Sequence, residues 1–126
     1  MPDRPVAITG ASFVLAVPDV DRTAAWWIDV MGFEPWMEPE GWRFVRRGAC
    51  RIMLGECPDA IAPAALGDHQ YFAYIFVDDL DAYHAEIRDG EVDIIAPPSE
   101  KPWGMREMPV RTPDGHRVMF GQDLGR

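Results

Sequence analysis

Metal binding, nucleophilic attack and aromatic stacking each need particular side chains, and this chain supplies the third far more generously than the first two. Its metal-ligating and acid–base candidates are three histidines, His69, His84 and His116, and two cysteines, Cys50 and Cys57. Zinc and its neighbours take about three protein ligands from His, Cys and carboxylate. His84 falls on the apolar stripe of a predicted helix and reads as a packed histidine. His116 follows a turn and reads as an exposed or capping residue. His69, at the start of one predicted strand, and Glu56, at the end of another, come nearest to a ligand pair. Cys50 alternates with Ile52 and Leu54, which suits a buried structural thiol, and neither cysteine has an activating histidine nearby in sequence. There is no Gly-x-Ser-x-Gly elbow and no glycine-rich phosphate loop. Aromatic residues are plentiful: five Trp, six Phe and three Tyr. Several of them, Trp36, Trp42, Phe44, Phe72, Tyr74, Phe76 and Trp103, sit where a simple core would not demand them. Stacking on a flat ligand is the chemistry they would serve; burial against a second copy of the chain is the competing reading.

The bulk properties narrow the classes. A chain of 126 residues with 48% hydrophobic content suits one globular domain. No apolar run approaches the roughly 18 residues of a membrane helix, and MPDRPVAITG has no apolar signal core, so a cytoplasmic protein with reduced thiols is expected. The net charge of −9 disfavours a nucleic-acid partner and permits a cationic ligand.

The elements that would position the aromatic residues occur twice. CRIMLGE (50–56) and HRVMFGQ (116–122) place Arg51 against Arg117, Met53 against Met119 and Gly55 against Gly121. VPDVDRTAAWWID (17–29) and VDDLDAYHAEIRD (77–89) match in the same order. Each half opens with a strand, 11–17 or 71–77, rich in β-branched and aromatic residues. Asp19 or Asp79 then caps a helix whose first turn carries Asp21 or Asp81, and Gly32 or Gly90 stops it. The helical spacing is Val20, Ala24, Trp27, Ile28 and Met31 in the first half, and Leu80, Tyr83, His84 and Ile87 in the second. Further strands are predicted at 33–38, 42–47 and 50–56, and at 92–96, 105–112 and 116–122. The reading is α+β: two βαβββ modules, about 8–56 and 70–122, joined by a linker over 57–69. Each sheet has a helix on one face, so its other face must be covered by the second module, a partner chain or a ligand.

This organisation resembles the vicinal oxygen chelate superfamily, which includes glyoxalase I, extradiol dioxygenases, and the fosfomycin and bleomycin resistance proteins. The resemblance covers nearly the whole chain and rests on VPDVDRTAAWWIDVMGFEP (17–35), PWGMREM (102–108) and TPDGHRVMFGQ (112–122). It implies curled mixed sheets around a cup, usually within a homodimer. PWGMREM followed by PDG is especially common among bleomycin-resistance-like members.

Strand alternation sorts the faces. Phe13, Leu15, Val17, Ile52, Leu54, Ala73, Ile75, Val77, Val118 and Phe120 go with the helices. Ser12, Val14, Ala16, Met53, Phe72, Tyr74, Phe76 and Met119 go with the cup, and Arg51 and Arg117 flank the two methionines. In metal-binding members of the superfamily the ligands are usually His or Gln on the first and fifth strands and Glu on the last, sometimes with another Glu on the fourth. The matching positions are Ser12, Met53, Phe72 and Met119, none a normal ligand for a hard or borderline divalent metal. The resemblance thus implies the fold but not the metal site, and no cofactor is expected. The residues expected to line a ligand groove are Trp36, Phe44, Met53, Phe72, Tyr74, Phe76, Trp103, Met119, Arg51 and Arg117. Glu38, Glu40, Asp68 or Glu107 would attract a cation; Arg51 and Arg117 would either pair with acidic residues or favour an anion. Three functions stand open: a metal-free protein that sequesters an aromatic, bleomycin-like small molecule; a metal-dependent lyase, isomerase or dioxygenase; and a non-catalytic accessory paralogue.

Overall fold

Two short helices and two mixed β-sheets follow one another in the order set by the repeated sequence. The computed structural model describes Pro5 and residues 10–66 and 70–125. The first half contains β1 (Phe13–Val17), α1 (Val20–Asp29), β2 (Glu34–Met37), β3 (Trp42–Arg47) and β4 (Cys50–Glu56), and its sheet has the order β1-β4-β3-β2. The second half contains β5 (Tyr71–Phe76), α2 (Leu80–Ile87), β6 (Asp93–Ile94), β7 (Ser99–Glu100), β8 (Met105–Arg111) and β9 (Arg117–Asp123), in the order β5-β9-β8-β6 with β7 also on β8. β1 pairs parallel to β4 and β5 parallel to β9; the remaining pairs are antiparallel. A short 3-10 helix, Pro63–Leu66, interrupts the connection between the halves.

Both helices start as their sequences dictate. The Asp19 carboxylate accepts from the backbone N–H of Asp21 and Arg22, and that of Asp79 accepts from Ala82, in each case satisfying amides that have no partner within the helix. The stops differ. Gly32 lies at φ 78°, in the left-handed region that glycine enters without penalty. Gly90 has no positive φ; its N–H donates to Ile87, and a Cβ there would press on Val30 at 3.1 Å. Its small size is needed for close packing, not for turning the chain.

The helix-facing side chains form one core across both halves, including Leu15, Trp27, Ile52 and Leu54 from the first and Leu80, Met108, Val118 and Phe120 from the second. Polar bonds tie the halves together around it. The Trp26 indole donates to the Glu91 carbonyl at 2.8 Å, and the Tyr83 hydroxyl to the Met31 carbonyl at 2.9 Å. Arg22 pairs with Asp114 at 2.8 Å, and the Thr23 hydroxyl also donates to Asp114. Arg47 pairs with Glu86 and stacks over the Tyr83 ring at 4.9 Å.

Several boundaries moved for identifiable reasons. β1 begins at Phe13, so Ser12 precedes the strand and is exposed. The strand expected over 92–96 is only Asp93–Ile94; Pro97 and Pro98, which have no N–H to donate, follow, and the chain resumes pairing as β7, which the sequence did not suggest. His116 lies before β9, its backbone N–H bonded to the Thr112 hydroxyl, and it is half-buried beside Phe72. Burial lowers its pKa, partly opposed by Asp114. The exposed role expected for it is therefore corrected. No helix among the described residues is long and apolar enough to cross a membrane.

Candidate ligand-binding site

Each sheet leaves one face without a helix, and the alternation of its strands puts aromatic side chains there. On the first sheet, Trp42, Phe44 and Arg46 of β3 stand opposite Gly55, Met53 and Arg51 of β4, with Val14 and Ala16 of β1 alongside. Trp36 joins this face at an irregularity in the β2–β3 register. The rings run Trp36–Phe44–Trp42, with centroids 5.5 and 6.0 Å apart. Arg51 lies over the Trp36 ring at 5.3 Å and Arg46 over it at 5.9 Å, and Arg46 also pairs with Glu34. Arg51 thus belongs to the uncovered face as a stacked cation, a geometry in which the guanidinium keeps its charge in water while its plane covers the ring.

On the second sheet the uncovered face carries Tyr74 and Phe76 of β5, Arg117, Met119 and Gly121 of β9, and Met105, Glu107, Pro109 and Arg111 of β8. Tyr74 and Phe76 have centroids 5.0 Å apart, and Phe76 is 70% exposed. The Tyr74 ring crosses β9 over Gly121 to reach β8, where its hydroxyl donates to Glu107 Oε2 at 2.8 Å. The same oxygen accepts from the Trp103 indole at 3.0 Å. Trp103 is held by a tight turn, in which the Gly104 N–H bonds to the Lys101 carbonyl and Gly104 has φ 82°. Burial and the neighbouring carboxylates of Glu107 and Asp123 hold the Tyr74 phenol protonated well above its ordinary range.

The two repeated glycines have matching roles. A Cβ on Gly55 would lie 2.9 Å from the Trp42 ring, and one on Gly121 would fall on Tyr74. In each half the repeated strand lowers its surface at that point so that an aromatic ring from a neighbouring strand can lie flat across it. Met53 and Met119 sit two residues earlier on the same face, half-buried.

Phe72 departs from expectation. The β5–β9 register slips between Tyr71 and Ala73, so Phe72 is the extra residue of a bulge. Its ring turns to the core side, against Phe13 at 6.1 Å and Trp27 at 6.2 Å. The aromatic wall of the second sheet is thus Tyr74, Phe76 and Trp103, without Phe72. In the sequence Glu107 is only one of several acidic candidates, with Glu38, Glu40 and Asp68. Its contacts depend on Trp103 folding back from a turn, and PWGMREM contains the two partners without showing that they meet.

The positions that the resemblance would assign to a metal do not fit one. Ser12 precedes β1, Met53 and Met119 offer thioethers, and Phe72 is turned to the core. Among the described residues no three His, Cys, Asp or Glu converge to hold a metal ion. His69 and Asp68 lie outside the described residues; Glu38 and Glu40 are exposed in the β2–β3 turn, and Glu56 is exposed at the end of β4. Burial pushes the Cys50 thiol up to about 11, away from nucleophilic use. Cys50 borders a cleft of about 620 Å³ between the β3–β4 turn, the end of β5 and α2, which also reaches Tyr74 and Phe76. This cleft is lined chiefly by helix-side and turn residues, including the Arg47–Glu86 pair, so it adjoins the aromatic faces without containing them.

A two-helix α+β fold with two mixed sheets and aromatic residues on their open faces defines a class, and comparison agrees with it. The chain belongs to the Glyoxalase/Bleomycin resistance protein/Dioxygenase superfamily, whose family model matches residues 10–120. Among solved structures, a bleomycin-binding protein from bleomycin-producing Streptomyces verticillus, crystallised with copper(II)-bleomycin, is 31% identical. That match covers 92% of this chain and 97% of the other, with a TM-score of 0.73. The bleomycin resistance determinant encoded on transposon Tn5 has the same fold at 22% identity, covering 92% and 98% of the two chains, with a TM-score of 0.76. Lactoylglutathione lyase from Agrobacterium tumefaciens also shares it, at 22% identity, 95% and 96% coverage and a TM-score of 0.69. No curated protein sequence matches the chain. The fold therefore serves binders and enzymes alike, and the site must decide between them.

Proposed function

We propose that this chain is a metal-free, cytoplasmic small-molecule-binding protein that sequesters a flat aromatic ligand of the bleomycin kind without altering it. One observation carries the reading. Both helix-free sheet faces present rows of aromatic rings, while the positions matching the metal ligands of enzymatic members hold Ser12, Met53, Phe72 and Met119. The 31% identity to a bleomycin-binding protein, spread over nearly the full length of both chains, supports it. Each ring buried against a ligand contributes on the order of 1.5–3 kcal/mol, so a few suffice for micromolar affinity after the costs of association. We further propose that two copies of the chain assemble so that the first sheet of one faces the second sheet of the other. Val14, Phe76 and Trp103 are each more than 60% exposed on the single chain, and such a dimer would shelter them around the groove.

The test is titration of metal-stripped protein with copper(II)-bleomycin, followed by calorimetry and tryptophan fluorescence. The expected result is saturable quenching with a dissociation constant of about 1 μM or tighter. Absence of heat and quenching at drug concentrations about a hundredfold higher would remove bleomycin-like drugs from the ligand class. Stoichiometric Zn, Ni, Mn or Fe in protein purified without chelators, with an activity lost on chelation, would replace the binding reading by the enzymatic one.

A further inference from the structure

We infer that Glu107, with Tyr74 and Trp103, forms a subsite for a protonated nitrogen group on the ligand. The inference rests on the aromatic-binding reading above and adds to it the residues that would hold a cationic group of the ligand.

The starting observation is a carboxylate in an unusual position. Glu107 lies on the helix-free face of the second sheet, yet only 6% of it is accessible. None of the ion pairs among the described residues includes it. Arg106, its neighbour in sequence, points to the other face and pairs with Asp81 at the start of α2. Arg111 and Arg117 share the uncovered face but stand opposite each other in the β8–β9 register, four residues further along. At about 3.4 Å per residue that is roughly 14 Å away. Arg111 is also engaged by Asp93. What Glu107 has instead is two neutral donors, the Tyr74 hydroxyl and the Trp103 indole, both directed at Oε2. Neither reaches Oε1.

A shielded carboxylate with no counter-cation among the described residues is costly, and neutral donors offset only part of the cost. A cation bound there would recover the remainder. The surroundings suit one: Tyr74, Phe76 and Trp103 offer aromatic faces, which attract ammonium, amidinium and guanidinium groups. Trp103 is 64% exposed, so its indole can release Oε2 and stack on the ligand's flat part while the ligand's N–H takes its place. The net charge of −9 favours the approach of such a ligand. The face as a whole is polarised, with the carboxylate at one end and Arg111 and Arg117 at the other. A ligand with its cation at the Glu107 end is therefore oriented as well as held.

The experiment compares two nearly isosteric probes, 9-aminoacridine, which is cationic at neutral pH, and acridine, which is neutral. The readout is the ratio of their affinities by calorimetry. The wild-type protein should prefer 9-aminoacridine by about tenfold, the range of a hydrogen bond to a charged group. Glu107→Gln should bring the ratio close to unity. Tyr74→Phe keeps the ring but removes a competing donor, so its ratio should equal or exceed that of the wild type; damage to the groove would weaken both probes together and leave the ratio unchanged. Binding of both probes with no preference, or a preference that survives Glu107→Gln, overturns the subsite and leaves the aromatic-binding reading standing. Failure of both probes to bind overturns that reading and the subsite with it.

Discussion

Replacing Gly121 by alanine tests the packing of the second sheet at its most crowded point. The added Cβ would fall on the Tyr74 hydroxyl and ring, so Tyr74 must swing away. Its bond to Glu107 then breaks, leaving a carboxylate that is 6% accessible with the Trp103 indole as its remaining donor. A hydrogen bond to a charged group contributes about 1.5–3 kcal/mol. Forcing a methyl group into a filled site costs about 1–3 kcal/mol. The two overlap, since the movement that relieves the clash is the one that breaks the bond, and the expected loss is about 3 kcal/mol. Gly55→Ala is the internal comparison. Its Cβ would meet Trp42 ring atoms at 2.9 and 3.0 Å, but Trp42 is 36% exposed and can rotate outward, so about 1 kcal/mol is expected. Urea denaturation of both variants measures the difference. The decisive arm is the cycle with Tyr74→Ala: in that background Gly121→Ala should cost no more than about 0.5 kcal/mol. An equal cost with and without the Tyr74 ring would show that the glycine is required for some other reason, and the account of the repeated glycines would fail.

Three further outcomes are expected. Asp19→Ala and Asp79→Ala should each lower stability by about 1 kcal/mol in urea unfolding, because each carboxylate caps a helix. The Arg47 guanidinium holds Glu86 below its ordinary pKa of 4.5, so the charged form is favoured in the folded state and this contribution is present above that pH and lost as pH falls through the depressed value. Glu86→Gln should therefore be less stable than the wild type at neutral pH, with the gap between urea midpoints closing in acid; a gap independent of pH would count against the pair. With its thiol pushed up to about 11 by burial, Cys50 should resist iodoacetamide at about pH 8 in the folded protein and react once urea is added. Rapid alkylation of Cys50 in native protein would contradict its placement.

Local rules of chain geometry made much of the molecule legible in the sequence. Strands β3 and β4 fall where their alternation placed them, and Asp19 and Asp79 cap the helices that follow. Period two along a strand assigns faces without further information, which is why Met53, Tyr74 and Met119 read as facing the helix-free side. The aromatic residues Trp36, Trp42, Phe44 and Trp103, whose facing the sequence leaves open, also reach that side. The acidic balance and the unsuitability of Ser12, Met53 and Met119 as ligands for a hard metal are likewise properties of the residues themselves.

Tertiary structure decided whatever depends on a slip of register or on a meeting across the fold. One bulged residue turns Phe72 from the ligand face to the core, because a strand's faces invert at every unpaired position. Trp26, outside the predicted helical stripe, is buried because a loop of the other half offers it a carbonyl. Tyr74, Trp103 and Glu107 come together only because one strand neighbour is a glycine and one turn folds back. The repeat in the sequence showed that Gly55 and Gly121 correspond. Packing alone showed that each marks the place where an aromatic ring crosses the sheet, since nothing in a glycine's own chemistry says which neighbour will use the space it leaves.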